Sequence, residues 1–199
     1  MRIETASLER PEIYDLIRRT ILPLPIALIS TVGQDGTYNA APFSFITPIS
    51  LEPLLLCIAF GPRQGQKKDT VKNIEFSHDF VVNIVDEGII ERTVQTSADY
   101  PGGVDEIKET GLTAIASEKV KSPRIAEAKV SLECHLVQTL DLGEGPSLRN
   151  LFFGEVVLIH VNDEVWVEDK VDPTKLRAVG RLGDGIHCRT GDIFEMRRS

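Results

Sequence analysis

Two stretches of the chain gather residue types that hold small polar ligands. Asn39-Ala40-Ala41-Pro42-Phe43-Ser44 follows a turn signal at Gln34-Asp35-Gly36 and sets an amide and a hydroxyl beside small side chains that allow close approach to the backbone. Just before that turn, Ser30 and Thr31 add two hydroxyls to a nearly continuous apolar run from Ile26 to Val32. The hairpin reads either as a core element whose polar groups satisfy the backbone or as a cradle for a flat ligand. The second stretch, Gly61-Pro62-Arg63-Gln64-Gly65-Gln66-Lys67-Lys68-Asp69-Thr70, is a cationic island in a chain with 30 acidic and 22 basic residues. Arg63, Lys67 and Lys68 precede a helix start, where free N–H groups and the positive end of the macrodipole favour an anion, and Thr70 adds a hydroxyl. A terminal phosphate suits this place, and so does a plain N-cap at Asp69 or Thr70 on a solvated turn.

Taken together, the stretches describe an elongated ligand with a flat polar ring system at one end and a phosphate at the other. Flavin mononucleotide (FMN) has that form. Asn39 would meet the ring's imide edge or the ribityl chain, Ser30, Thr31 and Ser44 would supply hydroxyls, and Phe43 or Phe45 would cover a ring face or belong simply to the core. Other chemistries lack their residues. No Gly-x-Gly-x-x-Gly follows the first strand, no Gly-x-x-x-x-Gly-Lys-Ser/Thr occurs, and no Gly-x-Ser-x-Gly surrounds a serine. Cys57, Cys134 and Cys188 are far apart and read as reduced, packed thiols. Neighbours on a strand point to opposite faces, so neither Cys134-His135 nor His187-Cys188 can close on one ion, and no metal is expected. No side chain is assigned a catalytic role, since hydride transfer to a flavin asks mainly for orientation and electrostatics.

The elements that must position these residues follow from hydrophobic period and punctuation. Glu9 to Thr20, with Ile13, Leu16 and Ile17 and an early Pro11, predicts an amphipathic helix across a barrel end. Strands are predicted near 26–32, 37–45, 53–60 and 80–85, with a helix opening at Asp69 whose Val71, Ile74 and His78 share a face. A helical segment is expected from Asp86 to Ala98 and a short acidic helix from Val104 to Gly111. Lys129 to Leu140, with Val130, Leu132, Cys134 and Leu136 inward, and Leu151 to Val161 predict a wide antiparallel pair connected through Asp141 to Pro146. Short strands are expected at 164–167, 186–188 and 194–196. Many strands with short inserted helices and no regular βαβ alternation predict a mainly β fold, an antiparallel barrel, over residues 1–199 as one domain.

The net charge of −8 argues against nucleic acid as a main partner, and no apolar run is long enough to span a bilayer. With no signal-peptide pattern after Met1, a cytoplasmic protein is expected.

An ordered set of short motifs carries a family resemblance over nearly the whole chain. It comprises Ile29-Ser30-Thr31 with Asp35-Gly36, Asn39-Ala40-Ala41-Pro42-Phe43-Ser44, Lys68-Asp69-Thr70 with Asn73, Phe80-Val81-Val82-Asn83, Asp105-Glu106, Gly111-Leu112-Thr113, Leu132-Glu133-Cys134 and Gly154-Glu155-Val156-Val157. The chain resembles the flavin reductase-like proteins with an FMN-binding split barrel, in particular the flavoredoxin-type group. The resemblance implies an FMN-binding split β-barrel with an N-terminal helix, in which the hairpin and segment 39–45 line the ring and ribityl chain. Lys68, Asp69, Thr70 and Arg63 would then surround the phosphate. It further implies an oxidoreductase passing electrons from NAD(P)H or another reduced donor through FMN to an acceptor, or else an electron carrier or flavin store without its own NAD(P)H reaction. A barrel that has lost its cofactor and serves as a binding module is a third reading. A homodimer with the flavin near the interface is implied as well. Ser50-Leu51-Glu52-Pro53 lacks one Pro of the family pattern, and Asp184 and His187 stand where Gly and Tyr are expected after Arg181-Leu182-Gly183.

Overall fold

The computed structural model describes residues 1–143 and 149–196. Its main element is an antiparallel sheet of seven strands: β2 (Ala27–Val32), β3 (Tyr38–Phe43), β4 (Ile46–Leu51), β5 (Leu54–Phe60), β6 (Asp79–Ile84), β9 (Val130–Leu142) and β10 (Arg149–Val161). Their order is β3-β2-β6-β9-β10-β5-β4, so β3 and β4 are opposite edges although only Ser44 and Phe45 separate them in the chain. The sheet must therefore curl until its edges meet, and the two-residue step leaves them split rather than hydrogen-bonded. Just before β4, the Ala59 N–H donates to the Phe45 carbonyl at 2.9 Å, which continues the β4–β5 ladder by one residue.

The inner face buries Ile29, Phe43, Ile58, Phe60, Phe80 and Phe152. Helix α2 (Asp69–Ser77) packs Val71 and Ile74 into the same cluster. Phe43, Phe60 and Phe152 meet edge to face, with centroids 4.7 and 5.1 Å apart. Gly154 in β10 is required by the approach of Phe80, whose Cζ lies 2.4 Å from where a Cβ would stand. A second cluster of Leu28, Ala40, Val85, Ile89, Ile107 and Ile125 covers the outer face of β2–β3. It recruits α3 (Ile90–Gln95), α4 (Glu106–Glu109) and the small pair β7 (Ala114–Ile115) and β8 (Arg124–Ile125). Coverage on both faces is why Ile26 to Thr31 lacks alternation.

Five shorter strands complete the described fold with helices α1 (Arg10–Arg18) and α5 (Pro173–Leu176). β1 (Leu24–Pro25), β13 (Val179–Arg181) and β14 (His187–Arg189) form a three-stranded sheet, and β11 (Trp166–Val167) pairs with β12 (Lys170–Val171).

The barrel class, the wide β9–β10 pair and most strand positions agree with the sequence expectations. The differences have physical reasons. The strand expected over 37–45 stops at Phe43, and the chain re-enters the sheet as β4, a strand missed because it is a mostly exposed edge with a register shift after Pro48. His78 does not extend the face of α2; it is the left-handed C-cap, at φ 58°. The helix expected over 86–98 begins only at Ile90, because the Asp86 carboxylate turns the chain by accepting from the Gly88 N–H at 2.6 Å. Residues 194–196 form no strand. In α1 the buried side chain is Arg18, while Ile13 and Leu16 are half-buried and Ile17 is exposed. Of the connection expected over Asp141 to Pro146, Asp141 and Leu142 extend β9, and residues 144–146 lie outside the described residues.

Candidate functional site

Strand alternation sorts the predicted ligand residues onto two faces. In the β2–β3 register, Thr31 faces Asn39 and Ile29 faces Ala41 on the barrel side, whereas Ser30 faces Ala40 on the outer side. Ser30 and Thr31 therefore cannot meet the same edge of a ligand. The Ser30 hydroxyl donates to the Pro123 carbonyl and accepts from Asn83 Nδ2 at 3.0 Å, which makes it an anchor for the outer segment. Ala40 is buried in the outer cluster, and Ala41 packs against the inner one.

Thr31, Asn39 and Thr70 belong to an internal network. Asn39 Nδ2 donates to both carboxylate oxygens of Glu106 at 2.9 Å, and Asn39 Oδ1 accepts from the Thr70 hydroxyl at 2.9 Å. Asn73 Nδ2 donates to Thr31 Oγ1 at 3.0 Å. The Glu106 carboxyl is raised above its usual range by burial, an effect opposed by hydrogen bonds that include those from the Ala40 N–H and Asn39. Asp105-Glu106 is only one of the motifs that carry the resemblance, and the sequence assigns Glu106 no role, since nothing local reveals that α4 brings it against the free edge of β3. A cavity of about 400 Å³ adjoins this network, lined by Gly33, Asp35, Asn39, Asp69 and Asn73 among others. Its carboxylates suit it poorly to a phosphate.

The cationic island also divides. Arg63 is exposed, paired with Asp99 and bonded to the Ala98 carbonyl, so it turns away from the hairpin. Asp69, at the first turn of α2, pairs with Lys72 at 2.9 Å. Lys68 is the N-cap of α2, with no side-chain cap there, and its ammonium lies 4.9 Å from the centroid of the Phe43 ring. Burial, and then the charge of Arg63, lower its pKa from the ordinary lysine value. No carboxylate pairs with Lys68 among the described residues.

Lys68 opens instead onto the large cavity at the barrel split. About 1170 Å³ in volume, it is bounded by Pro42, Phe43, Ser44 and Phe45 on the sheet side and by α1, α3 and the β13–β14 pair opposite. Arg10, Arg18, Lys68, Arg149 and Arg181 line it, and no carboxylate does among the described residues. In a chain of net charge −8 that is a concentrated positive field. The Arg149 guanidinium lies over Gly61, its pKa lowered first by burial and then by Arg10. Tyr14 packs edge-on to Phe45 at 6.1 Å and carries the Arg18 guanidinium at 4.2 Å. Thr93 lines the cavity from α3, and its hydroxyl is buried without a hydrogen-bond partner among the described residues. An apolar wall, an unpaired cation and an orphan hydroxyl in one cavity fit a flat aromatic ligand bearing a phosphate.

The comparisons with known proteins agree with this chemistry. Residues 17–174 match the family model described as "Flavin reductase like domain". The chain belongs to the flavin reductase-like family. An uncharacterized protein of Aquifex aeolicus is 40% identical over 179 residues, covering 89% of each chain. Nitrilotriacetate monooxygenase component B from Bacillus cereus superposes with a TM-score of 0.94 at 29% identity, covering 98% of each chain. The 2-nitrobenzoate 2-nitroreductase of Pseudomonas fluorescens superposes with a TM-score of 0.91 at 32% identity, covering 100% of this chain and 96% of the other. Membership in this flavin reductase-like family makes the function flavin-related redox chemistry.

Of the predicted site residues, Pro42, Phe43, Ser44 and Lys68 meet at the split, whereas Asn39 and Asp69 adjoin the smaller cavity. The sequence reading missed Arg10, Tyr14 and Arg18, although their spacing of four along a predicted helix places them in one basic and aromatic row. Thr93 and Arg149 had no local signal, because α3 and the start of β10 reach the split only through the packing of distant segments.

Proposed function

We propose that this protein is an FMN-dependent oxidoreductase of flavin reductase type that accepts electrons from NAD(P)H and passes them to a separate acceptor. The observation that carries the reading is the cavity at the split, where a carboxylate-free lining joins aromatic rings to unpaired polar groups. Lys68, with the uncapped N–H groups at the start of α2, would hold the phosphate. Phe43, Phe45 and Tyr14 would flank the ring system, Ser44 and Thr93 would hydrogen-bond to its polar atoms, and the edge-strand backbone at 42–44 would add donors and acceptors. When bound, the flavin supplies hydride and single-electron transfer, while the chain orients both ligands and limits access of water.

The homodimer fits the same reading. Val137, Leu140 and Leu142 of β9 and Ile49 and Leu51 of β4 are exposed apolar side chains on the long sheet, as a partner surface requires. Light scattering of the purified protein tests it, with a dimer mass expected.

The function itself is tested by a visible spectrum followed by anaerobic mixing of the FMN-loaded protein with NADH or NADPH. Rapid bleaching supports the reductase, whereas a yellow protein that does not bleach supports a carrier. A colourless protein that takes up no FMN at micromolar concentration refutes both.

A further inference from the structure

The three-stranded sheet β1-β13-β14 turns one row of side chains toward the large cavity. Leu24 stands opposite Arg181 and Arg181 opposite His187, so the three share a face, and all three line the cavity. The row opens toward solvent: Leu24 is buried, Arg181 half-buried and His187 exposed. One carboxylate serves two of the guanidiniums here. Asp184 accepts from Arg18 through both oxygens, one of them 2.8 Å from Nη2, whereas Arg181 Nη2 stands 3.7 Å from it. Arg181 Nε donates to the Gly183 carbonyl at 3.1 Å, and the guanidinium has more N–H donors than these two contacts use. Arg19, which also acts on Asp184, pairs with Asp15 at 2.8 Å. Arg18, Arg19 and Arg181 against Asp15 and Asp184 leave this end positive before His187 is counted. Farther along the same face of β14, Arg189 pairs with Glu87 at 3.2 Å, a carboxylate it shares with Arg177. Across the cavity, α3 and the segment 42–45 contribute only uncharged side chains among the described residues.

We propose that Arg181 and His187 form a seat for an anionic group of the second substrate, strongest when the imidazole is protonated. This rests on the flavin reading only in calling the ligand a second substrate, because the FMN phosphate is placed at Lys68. A guanidinium offers a planar fork of donors that suits phosphate and carboxylate oxygens alike. Histidine adds a second cation as pH falls, since its ordinary charge change lies between about pH 5 and 8. Leu24, on the far side of Arg181, gives the apolar part of the same ligand a surface to cover.

Histidine ring signals in NMR spectra of the FMN-saturated protein read this seat directly, with His187→Gln identifying the signal of His187. Sodium sulfate stands for a phosphate ester and sodium benzoate for a carboxylate, while sodium chloride at matched ionic strength controls for screening. At least one probe should move the His187 signal to saturation, binding about tenfold tighter at about pH 5.5 than at about pH 8, the factor supplied by one modest charge-assisted contact. Whichever probe binds more tightly identifies the kind of anion. Calorimetry of His187→Gln should show that pH difference reduced to less than about twofold. Arg181→Gln should lose saturable binding and Arg181→Lys should keep it. The proposal is overturned if neither probe moves the His187 signal beyond the chloride control, or if the signal saturates equally in Arg181→Gln. It is also overturned if the response is present without FMN and absent with it, since that end would then belong to the flavin. Circular dichroism shows that each variant keeps its helix and sheet, and Arg181→Lys separates charge from the hold on the turn at Gly183. A protein that binds no FMN would refute the proposed function, and the same titrations on the ligand-free protein would still decide for or against the seat.

Discussion

Replacing Lys68 by Met separates binding from folding more sharply than any other single change in this site. The Met side chain keeps an unbranched apolar stem over the Phe43 ring, so the perturbation removes the charge and little packing. A charge-assisted contact to a phosphate contributes about 1.5–3 kcal/mol, which corresponds to FMN affinity weakened roughly 10- to 150-fold. Stability should move little. The ammonium pairs with no carboxylate among the described residues, and burial holds its pKa below the unfolded value. For a lysine shifted in that direction the charged form favours the unfolded chain at every pH below the folded pKa, so removing it relieves the fold. Against this stands loss of a cation–π contact of about 0.5–1 kcal/mol. The ligand-free variant should therefore unfold within about 1 kcal/mol of the unsubstituted protein. Quenching of FMN fluorescence gives the affinity, and chemical denaturation of the ligand-free protein gives the stability. An affinity change below about threefold would sink the phosphate assignment, and a stability loss above about 2 kcal/mol would show that Lys68 is a structural residue.

Three further outcomes follow from neighbouring groups. Thr93→Val removes a buried hydroxyl that lacks a partner, so the ligand-free protein should be as stable or more so while FMN binds several-fold more weakly; calorimetry and flavin titration read the two effects. Asn83 joins Leu28, Ser30, Ile125 and Ser131 through four hydrogen bonds, and Asn83→Ala should cost about 3 kcal/mol in urea denaturation. Glu133 is fully buried, and the desolvation that raises its pKa is outweighed by hydrogen bonds from the Glu118 and Lys119 N–H groups and from His160, leaving the pKa below the usual range. A depressed carboxylate stabilises the fold above its unfolded pKa of about 4.3, and that contribution disappears as pH falls through the folded value. Glu133→Gln should therefore be about 3 kcal/mol less stable at pH 7, with the gap closing below about pH 4 in denaturation series.

How much was legible in the sequence depends on the range of the interaction. The apolar run into Thr31, the Gln34-Asp35-Gly36 turn and the start of α2 at Asp69 are local signals, and each element lies where its residues predict. Strand β4 was hidden because an edge strand with Pro48 and exposed apolar residues shows neither alternation nor continuity. At the site, the period of two already implies that Ser30 and Thr31 diverge, a consequence that listing the hydroxyls together overlooked. Glu106, Thr93 and Arg149 enter through contacts between distant segments that no local pattern encodes, and Arg18 was masked because an amphipathic helix is expected to bury its isoleucines rather than its arginine.

The central claim, that flavin is held at the barrel split rather than against the hairpin, is tested most directly by a crystal structure of the protein grown with FMN. The account predicts density between α1 and residues 42–45, with the phosphate within hydrogen-bonding reach of Lys68 Nζ. Density in the smaller cavity bounded by Gly33, Asp35 and Asn73 would contradict it.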